Sequence, residues 1–461
     1  MMLIYSLRYY RVASVEQFSA DNPIILLRVK SMLKIVIVGG GAGGLELAAK
    51  LGANLGKNQK ADVTLIDRNR SHIWKPLLHE VATGTLDTSI EGVVYHAHAA
   101  KHHYRFCLGT FIGLDSENKT VTLAESFTED NAQLLAQREI AYDILVLAIG
   151  SQSNDFGTKG VKEHCHFLDS TAQAERFHQH LLNQFLRINQ SQSAAPELNI
   201  AIVGAGATGV ELSAELLNVS KLIKSYNMPN ISREKLNIHL IEAGPRILGA
   251  LSERISDAAR TELNKLGVTV RESTRIEQAT DQGFVTSDGE LIKADLMVWA
   301  AGVKVPDFIK QLDIFELNHL NQILVKPNLQ STTSDSIYVL GDCCGFKNKD
   351  GSWVPPRAQS AHQMADRVYQ NLLLHMSGKP LKTYQYRDYG SLVSLSRFGA
   401  VGNLMGNLTK RSMFIEGHIA RIMYISLYRM HQFAIHGKAK ALLVIAAEKI
   451  AKVVRPKMKL H

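Results

Sequence analysis

The chain has 461 residues, of which 46% are hydrophobic, and a formal net charge of +9. That length allows about three domains of ordinary size, and the composition is typical of a globular protein, not of a disordered or fibrous one. The excess charge is confined to the C-terminus, where eleven Lys and Arg residues stand against two acids from Lys410 onward. No nucleic-acid-binding motif accompanies this charge, so nucleic acid is not expected as a partner.

Residues 1–31 are predicted to be an N-terminal extension outside the fold. Charged residues interrupt their apolar patches and no small-residue cleavage site follows, which disfavours both a membrane-spanning helix and a signal peptide. Because Met32 directly precedes the first predicted strand, an upstream start site is a further interpretation.

Two glycine-rich segments, residues 39–44 (Gly-Gly-Gly-Ala-Gly-Gly) and 204–209 (Gly-Ala-Gly-Ala-Thr-Gly), each follow an apolar strand and open a helix-like run. The pattern predicts a dinucleotide-binding loop, because glycine lets backbone N–H groups and a helix N-terminus approach a pyrophosphate. Two such loops predict two nucleotides and electron transfer between them, whereas strands that end in plain glycine turns are the alternative. The loop residues expected to hold the nucleotides are Gly39, Gly41, Ala42, Gly43 and Gly44 in the first and Gly204, Gly206, Thr208 and Gly209 in the second.

A second strand after each loop ends in an acid, Asp67 in the first unit and Glu242 in the second. These acids lie 23 and 33 residues after the last glycine of their loops, against roughly 20 in the simple unit. The longer spacing predicts an extra turn or helix near residues 221–235. A carboxylate here accepts hydrogen bonds from a ribose 2′-hydroxyl and repels a 2′-phosphate, so Glu242 favours NADH over NADPH.

The order of the apolar strands predicts an interrupted first domain with a second domain inserted into it. Residues 142–150 form a buried strand ending in glycine, 171–186 a helix, and 189–196 a linker rich in Ser, Gln and Ala. The second unit closes with an equivalent strand at 294–302, and the chain returns to the first domain at 337–342. The predicted fold is α/β with two Rossmann-like domains and a C-terminal amphipathic helical region, divided as 1–31 (extension), 32–195 (first segment of the FAD domain), 196–305 (NADH domain), 306–395 (second segment of the FAD domain, with the quinone site) and 396–461 (membrane-anchoring region).

The four cysteines, Cys107, Cys165, Cys343 and Cys344, include no C-x-x-C pair. This disfavours a redox-active disulfide and a zinc or iron–sulfur site, so no metal is expected. The adjacent pair is either reactive or, as is commoner, two small residues packed beside a cofactor. With few cysteines and no secretory leader, the chain is expected in a reducing cytoplasm.

This arrangement resembles the flavoproteins with two dinucleotide-binding domains. Residues 74–84 (Trp-Lys-Pro-Leu-Leu-His-Glu-Val-Ala-Thr-Gly) and 358–363 (Ala-Gln-Ser-Ala-His-Gln) are similar to segments of one branch, the type II NADH:quinone oxidoreductases, which are single-subunit respiratory NADH dehydrogenases of bacteria. The resemblance runs from about Ile35 to the C-terminus. It implies FAD as cofactor, NADH as substrate, and a membrane quinone such as ubiquinone as electron acceptor, without proton pumping. Further implied site residues are Asp67, Arg68, Gly150 and Asp342 for FAD, Glu242 and Gly302 for NADH, and Gln359, His362 and Gln363 for the quinone.

Two of these residues are expected to act in the reaction. Gln359 carries an amide that both donates and accepts hydrogen bonds without charge, which suits a quinone carbonyl in an apolar slot, although Gln359 and Gln363 could simply be neighbours on a helix surface. Glu211 lies where the family has a glutamate between nicotinamide and flavin. It could position the hydride donor or relay a proton if burial raises its pKa, or it could be an ordinary first-turn acid of a helix.

The C-terminal tail is expected to bind a membrane surface, although no segment has the ~20 nearly uncharged apolar residues of a spanning helix. Basic amphipathic helices lie in the interface with anionic lipid, which predicts a peripheral protein on the cytoplasmic face of the inner membrane. A homodimer interface is an alternative that does not exclude lipid binding. One predicted helix puts His418, Arg421, Arg429, Gln432 and His436 opposite Met423, Leu427, Met430 and Ala434, and the other puts Glu448, Lys452 and Arg455 opposite Leu443, Ala446, Ala447, Ile450, Val453 and Val454.

Three rival functions fit the same fold. A sulfide:quinone oxidoreductase needs cysteines facing the flavin, and the four cysteines here do not resemble that arrangement. A soluble ferredoxin reductase would not need the basic tail. A non-catalytic nucleotide sensor would keep FAD without turnover.

Overall fold

The computed structural model describes residues 32–128, 130–190, 197–226, 228, 230–405, 412–454 and 458–460. The predicted N-terminal extension, residues 191–196 of the predicted linker, Arg455, and the side chains of residues 452–454 lie outside the described residues. The described residues from Leu33 onward belong to one compact unit. The domain boundaries expected within it at 195, 305 and 395 stay predictions.

The strands are, in chain order, β1 (Leu33–Val38), β2 (Ala61–Asp67), β3 (Ser71–His72), β4 (Val93–Val94), β5 (Arg105–Leu108), β6 (Phe111–Asp115), β7 (Thr120–Leu123), β8 (Ser126–Phe127), β9 (Gln133–Leu135), β10 (Arg138–Ala141), β11 (Ile144–Leu147), β12 (Gln152–Ser153), β13 (Leu198–Val203), β14 (Leu236–Ile241), β15 (Thr269–Arg271), β16 (Ile276–Thr280), β17 (Gly283–Thr286), β18 (Leu291–Lys293), β19 (Leu296–Trp299), β20 (Val303–Lys304), β21 (Ile323–Leu324), β22 (Ile337–Val339), β23 (Cys344–Gly345), β24 (Gly390–Ser394), β25 (Ala400–Met405) and β26 (Ser412–Glu416).

The α-helices are α1 (Ala42–Leu51), α2 (Leu78–Thr83), α3 (Thr88–Glu91), α4 (Tyr95–His102), α5 (Val161–His164), α6 (Thr171–Gln190), α7 (Ala207–Leu222), α8 (Glu253–Leu266), α9 (Phe308–Gln311), α10 (Ala358–Met376), α11 (Gly417–His436) and α12 (Lys438–Val454). A π-helical turn covers Gly52–Gly56, and 3₁₀ turns cover Lys75–Leu77, Ile223–Tyr226, Arg233–Lys235, Gly341–Cys343 and Ser396–Phe398. The turns after α7 lie where the long spacing before Glu242 predicts them.

A parallel sheet in the order β22–β11–β1–β2–β5 carries the first glycine loop. Its central strand β1 pairs with β11 on one side and β2 on the other, so Ile35 lies between Ile144 and Val63. These strands are continuous apolar runs because a parallel sheet is covered on both faces. Residues of α1 and α10 contribute to the same buried core.

A second parallel sheet, in the order β15–β14–β13–β19, repeats this plan around the second glycine loop. Here β13 pairs with β14 and β19, with Ile200 between Ile238 and Leu296. Residues of α6, α7 and α8 fill the core around it. The chain therefore leaves the first sheet after β11, builds the second, and returns at β22. The predicted α/β fold is confirmed.

The C-terminal region combines an antiparallel sheet, β24–β25–β26, with α11 and α12. Among the residues that the structure covers, no helix is long and apolar enough to cross a bilayer. The two predicted tail helices are present, and Met430 of the predicted apolar face is exposed, but Gln432 and Glu448 of the predicted polar faces are buried, so the prediction is wrong at those two residues. Gln432 is buried and donates to Glu448, with 2.7 Å between the atoms, whereas Met430 is 63% exposed. The reason is that α11 packs on the protein through Tyr424, His431 and Gln432, which leaves apolar side chains outside.

Candidate functional site

The two glycine loops have the same geometry. Gly39 and Gly204 begin them with φ of +104° and +99°, a left-handed conformation that favours glycine. A Cβ on the last glycine of either loop would overlap the carbonyl oxygen of the first, so these positions pack α1 and α7 against their strands. The middle glycines, Gly41 and Gly206, begin the helices, and a Cβ built on either meets nothing within 4 Å. That open space beside a helix N-terminus is what a pyrophosphate requires.

The acids that end β2 and follow β14 also occupy equivalent positions. Asp67 accepts a 2.7 Å hydrogen bond from the backbone N–H of Gly40, and Glu242 accepts a 2.9 Å bond from that of Ala205. Their other carboxylate oxygens accept from the backbone N–H groups of Asn69 and Gly244. Each acid therefore fixes its glycine loop and stands at the loop's edge, where a carboxylate can accept a hydrogen bond from a ribose hydroxyl.

The ends of β11 and β22 bring together two predicted residues of the first nucleotide site. Ser151, next to Gly150, donates to the Asp342 carboxylate at 2.8 Å, and Lys75 donates to the Ser151 carbonyl oxygen at 2.8 Å. Gly150 has φ +75° and open space beyond its Cα. Arg68 is exposed next to Asp67 and Thr208 is exposed in the first turn of α7.

Glu211 on α7 is buried at the meeting point of three other elements. Its Oε1 accepts a 3.0 Å hydrogen bond from the backbone N–H of Ser394 at the end of β24, and its Oε2 lies 3.5 Å from Nδ1 of His79 on α2. The Tyr424 phenol of α11 lies next to the same carboxyl group. A first-turn acid that only complements a helix dipole would be exposed, and Glu211 is not.

Burial sets the protonation of this pair. It raises the pKa of Glu211 to about 8, although the Ser394 N–H and Tyr424 oppose the rise. It lowers the pKa of His79 to about 4. At neutral pH the contact therefore joins a protonated carboxylic acid to a neutral imidazole, not two ions. Such an acid can hold a proton and release it when the local charge changes.

Gln359 and Gln363 use their amides to hold the segment before β24. Gln359 donates to the Gly390 carbonyl oxygen at 3.0 Å and accepts from the Tyr389 N–H at 3.1 Å. Gln363 donates to the Arg387 carbonyl oxygen and accepts from its N–H, at 2.8 and 2.9 Å. Both amides are thus engaged by backbone groups, and through β24 they fix the position of the Ser394 N–H that holds Glu211.

His362, between these two glutamines, points instead to an ion pair on α1 whose acid is buried. Its Nδ1 makes a short contact with Glu46, and Glu46 pairs with Lys50 at 2.6 Å. Burial raises the pKa of Glu46, but the contacts with His362 and Lys50 outweigh it and leave that pKa lowered. The His362 ring also lies near His431 of α11, with 5.3 Å between ring centroids.

A cavity of about 270 Å³ lies between α4, α11 and α12, beside His431. Its lining includes Trp74, which stacks on Tyr428 and His431 with centroid distances of 5.6 and 5.8 Å. The indole Nε1 of Trp74 is buried and has no hydrogen-bond partner among the described residues. Aromatic rings share the lining with charged and polar side chains that include Lys101, Glu448 and four histidines. Such a cavity offers flat surfaces and hydrogen-bond partners to a planar ligand that carries carbonyl groups.

Sequence reasoning missed the residues that surround Glu211. His79 lies within the segment 74–84 but carried no assigned role, and Ser394 acts through its backbone, which no side-chain pattern reveals. Tyr95 was also missed: its phenol donates to the Gly40 carbonyl oxygen at 2.7 Å and holds the first loop.

Comparisons with known proteins give one family. Residues 33–365 match the sequence profile of the pyridine nucleotide-disulphide oxidoreductases. A curated relative, the type II NADH:quinone oxidoreductase of Haemophilus influenzae, is 45% identical over 444 residues, which cover 93% of this chain and 100% of the relative.

Two solved structures share the fold. NDH2 from Plasmodium falciparum in complex with NADH matches with a TM-score of 0.78 and 18% identity, covering 93% of this chain and 100% of that one. The sulfide:quinone oxidoreductase of Aquifex aeolicus matches with a TM-score of 0.69 and 15% identity, covering 92% and 95%. At these identities both similarities concern the fold alone.

Proposed function

This chain belongs to the type II NADH:quinone oxidoreductases, a branch of the pyridine nucleotide-disulphide oxidoreductase family, and we propose that it is a respiratory NADH dehydrogenase that does not pump protons. The observation that carries the proposal is the pair of equivalent glycine loops, Gly39–Gly44 and Gly204–Gly209, in one compact unit with the buried Glu211. The relative of known activity is similar along its whole length, which supports the same reaction here.

The residues present fit two dinucleotides. Open space lies beyond Gly41, Gly150 and Gly206, where backbone must approach a ligand closely. FAD would be held by the first loop with Asp67, Arg68 and Asp342, and NADH by the second loop with Glu242 and Gly302. When bound, FAD would supply the redox chemistry between NADH and the quinone.

Glu211 holds a proton within this arrangement. Its carboxyl group is neutral at pH 7 because burial raises its pKa to about 8. The Ser394 N–H fixes one oxygen and leaves the other beside His79. Glu211 can therefore donate a proton, or take one up, as charge develops next to it, while its neutral form excludes a permanent charge from the site.

The quinone is proposed to enter the cavity between α4, α11 and α12. The aromatic rings of its lining, with the histidines beside them, support a planar head group there, and His362 lies one ring away through His431. Gln359 and Gln363 then act mainly as positioning residues for the segment before β24, since backbone groups already engage their amides.

The tail is proposed to bind anionic lipid on the cytoplasmic face of the inner membrane. Large apolar side chains are exposed on both tail helices, beside exposed lysines of α12 such as Lys438, Lys440 and Lys449. Apolar area inserts below the head groups while basic side chains pair with anionic ones. The exposed apolar residues are Ile419, Ile422, Ile425, Leu427 and Met430 on α11 and Leu442, Leu443 and Ile450 on α12. The second candidate partner for this surface is another copy of the chain, which would form a homodimer through the same helices.

A bleaching experiment tests the function. Flavin absorbance of the purified holoprotein should fall within one turnover on adding NADH and should recover on adding a short-chain quinone. Sulfide in place of NADH should leave the absorbance unchanged. Flavin that stays reduced after quinone, or that never bleaches, would contradict the proposal and favour a nucleotide sensor.

Glu242 should determine the choice of dinucleotide. Glu242→Ser removes the carboxylate that repels a 2′-phosphate, so we expect kcat/KM for NADPH to rise about tenfold and that for NADH to fall. The matched variant Asp67→Ser lies at the equivalent position of the other loop and should leave the NADPH/NADH ratio unchanged. An unaltered ratio in Glu242→Ser would show that this carboxylate does not select the nucleotide.

A further inference from the structure

The order of the strands locates the nicotinamide half of NADH. In the second sheet β13 lies between β14 and β19. A dinucleotide with its pyrophosphate on the loop after β13 and its adenosine ribose at Glu242, after β14, must extend its other half over the end of β19. The residue at that end is Gly302, three residues beyond the strand, with φ +62°.

The surface of Gly302 is covered by an aromatic ring from outside the second sheet. A Cβ built on Gly302 would overlap the ring of Phe156. Gly150, the equivalent glycine after β11, has nothing within 4 Å of the same position. The two halves of the fold therefore differ here: the first leaves the strand end open, and the second places a phenyl ring over it.

The backbone of Phe156 is fixed by hydrogen bonds, and its ring is exposed. Its backbone is left-handed with φ +51°, stabilised by a 3.0 Å hydrogen bond from its N–H to Oδ1 of Asn154. Asn154 is itself tied to the second sheet, because its carbonyl oxygen accepts from Nε1 of Trp299 at 2.8 Å. Yet Phe156 is 64% exposed. A left-handed φ costs backbone energy at a bulky residue, and such cost is found at ligand-binding sites. The exposed ring therefore offers a free aromatic face beside Gly302.

We propose that Phe156 is a binding residue for NADH, whose ring packs against the nicotinamide half of the dinucleotide over Gly302. The inference rests on the proposed function. It adds to the NADH site a contact from Phe156, which lies in the segment that follows β11 of the first sheet. An aromatic face offers an apolar, flat surface to a nicotinamide ring without adding charge. Phe156 lies between β11, after which the chain leaves the first sheet, and the end of β19. From there it can hold the nicotinamide ring between the two nucleotide sites.

The test uses Phe156→Gly in the FAD-loaded protein. Glycine accepts a left-handed φ without strain, so the melting temperature should stay equal or rise while the ring is lost. Two probes are titrated by calorimetry: tetrahydro-NADH, which has the nicotinamide half but donates no hydride, and ADP-ribose, which lacks the nicotinamide. We expect affinity for tetrahydro-NADH to fall roughly tenfold and affinity for ADP-ribose to stay within about twofold.

Two further variants make the result specific. Phe156→Tyr keeps the ring and should restore tetrahydro-NADH affinity to within about twofold of the parent. Phe127→Ala removes a phenyl ring of similar exposure, 52%, from β8 and should change neither affinity. Equal loss for both probes would mean that Phe156 only supports the loop, and no loss would mean that the ring makes no contact; either result overturns the inference. Both of these results overturn this inference alone. Failure of NADH to bleach the parent's flavin would instead overturn the proposed function.

Discussion

Replacing Glu211 with Gln is expected to lower turnover with NADH and a short-chain quinone about 10²-fold or more, while KM for NADH changes less than about threefold. Glutamine has the shape of a protonated glutamate and still accepts a hydrogen bond from the Ser394 N–H. It cannot release or take up a proton. The loss therefore falls on the chemical steps and not on binding, which steady-state kinetics separate.

The pH dependence of the same variant gives an independent check. Burial raises the pKa of Glu211 from 4.5 to about 8, so activity that needs the protonated form should decline as pH rises through about 8. This limb should be missing from the residual activity of Glu211→Gln. Turnover that equals the parent's, or a limb near pH 8 that persists in the variant, would remove Glu211 from the mechanism.

Stability should follow the same titration with a defined sign. Because the folded-state pKa of Glu211 is raised, its protonated form stabilises the fold fully below about pH 4.5, and this stabilisation is lost as pH rises to about 8. Glu211→Gln removes this loss of stability, so the melting temperature of the variant should rise relative to the parent's between pH 5 and pH 8.

The control for the turnover prediction is Glu215→Gln. Glu215 is another buried acid one turn along α7, and its side chain accepts a hydrogen bond from Asn218 at 2.8 Å. This variant should leave turnover within about threefold, because no proton transfer is assigned to Glu215.

The features of this site that sequence predicts are local ones. A strand, a glycine turn and the first residue of a helix follow one another within ten residues, 33–42 and 198–207, so the loops at Gly39 and Gly204 can be predicted from spacing alone. The surroundings of Glu211 are not. His79, Ser394 and Tyr424 come from elements far apart in the chain, and only the packing of α2, β24 and α11 around α7 brings them together.

Periodicity also fails to tell which face of a helix the protein covers. The pattern of α11 distinguishes two faces, but burial of Gln432 depends on Glu448, which α12 brings within 2.7 Å. The same limit applies to Gln359 and Gln363. The motif indicates amides in a functional segment, and only the structure reveals that the backbone at 387–390 engages them. Which groups remain free for a ligand is therefore a property of tertiary contacts, not of the motif.

The substitutions Ile422→Glu, Leu443→Glu and Ile450→Glu, made together, are expected to abolish binding to vesicles that contain anionic lipid. These side chains are 68%, 72% and 68% exposed on α11 and α12, and burying each in a bilayer is worth about 1.5–3 kcal/mol. Because they are already in solvent, charging them does not disturb the core, so the melting temperature and turnover with a soluble short-chain quinone should stay near the parent's. Vesicle flotation measures the first effect, and turnover with a long-chain quinone in the same vesicles should fall in parallel.

A matched triple variant tests whether the effect belongs to the tail. Ile112→Glu, Phe127→Glu and Leu134→Glu add the same charge at apolar side chains that are 44%, 52% and 48% exposed outside the tail, and should leave flotation unchanged. High salt should weaken binding of the parent without abolishing it, because the basic side chains are screened while the apolar contact is not. If the tail variant still floats with the vesicles, these side chains do not anchor the protein. If instead it changes from dimer to monomer in the absence of lipid, the exposed apolar residues of α11 and α12 face a second copy of the chain.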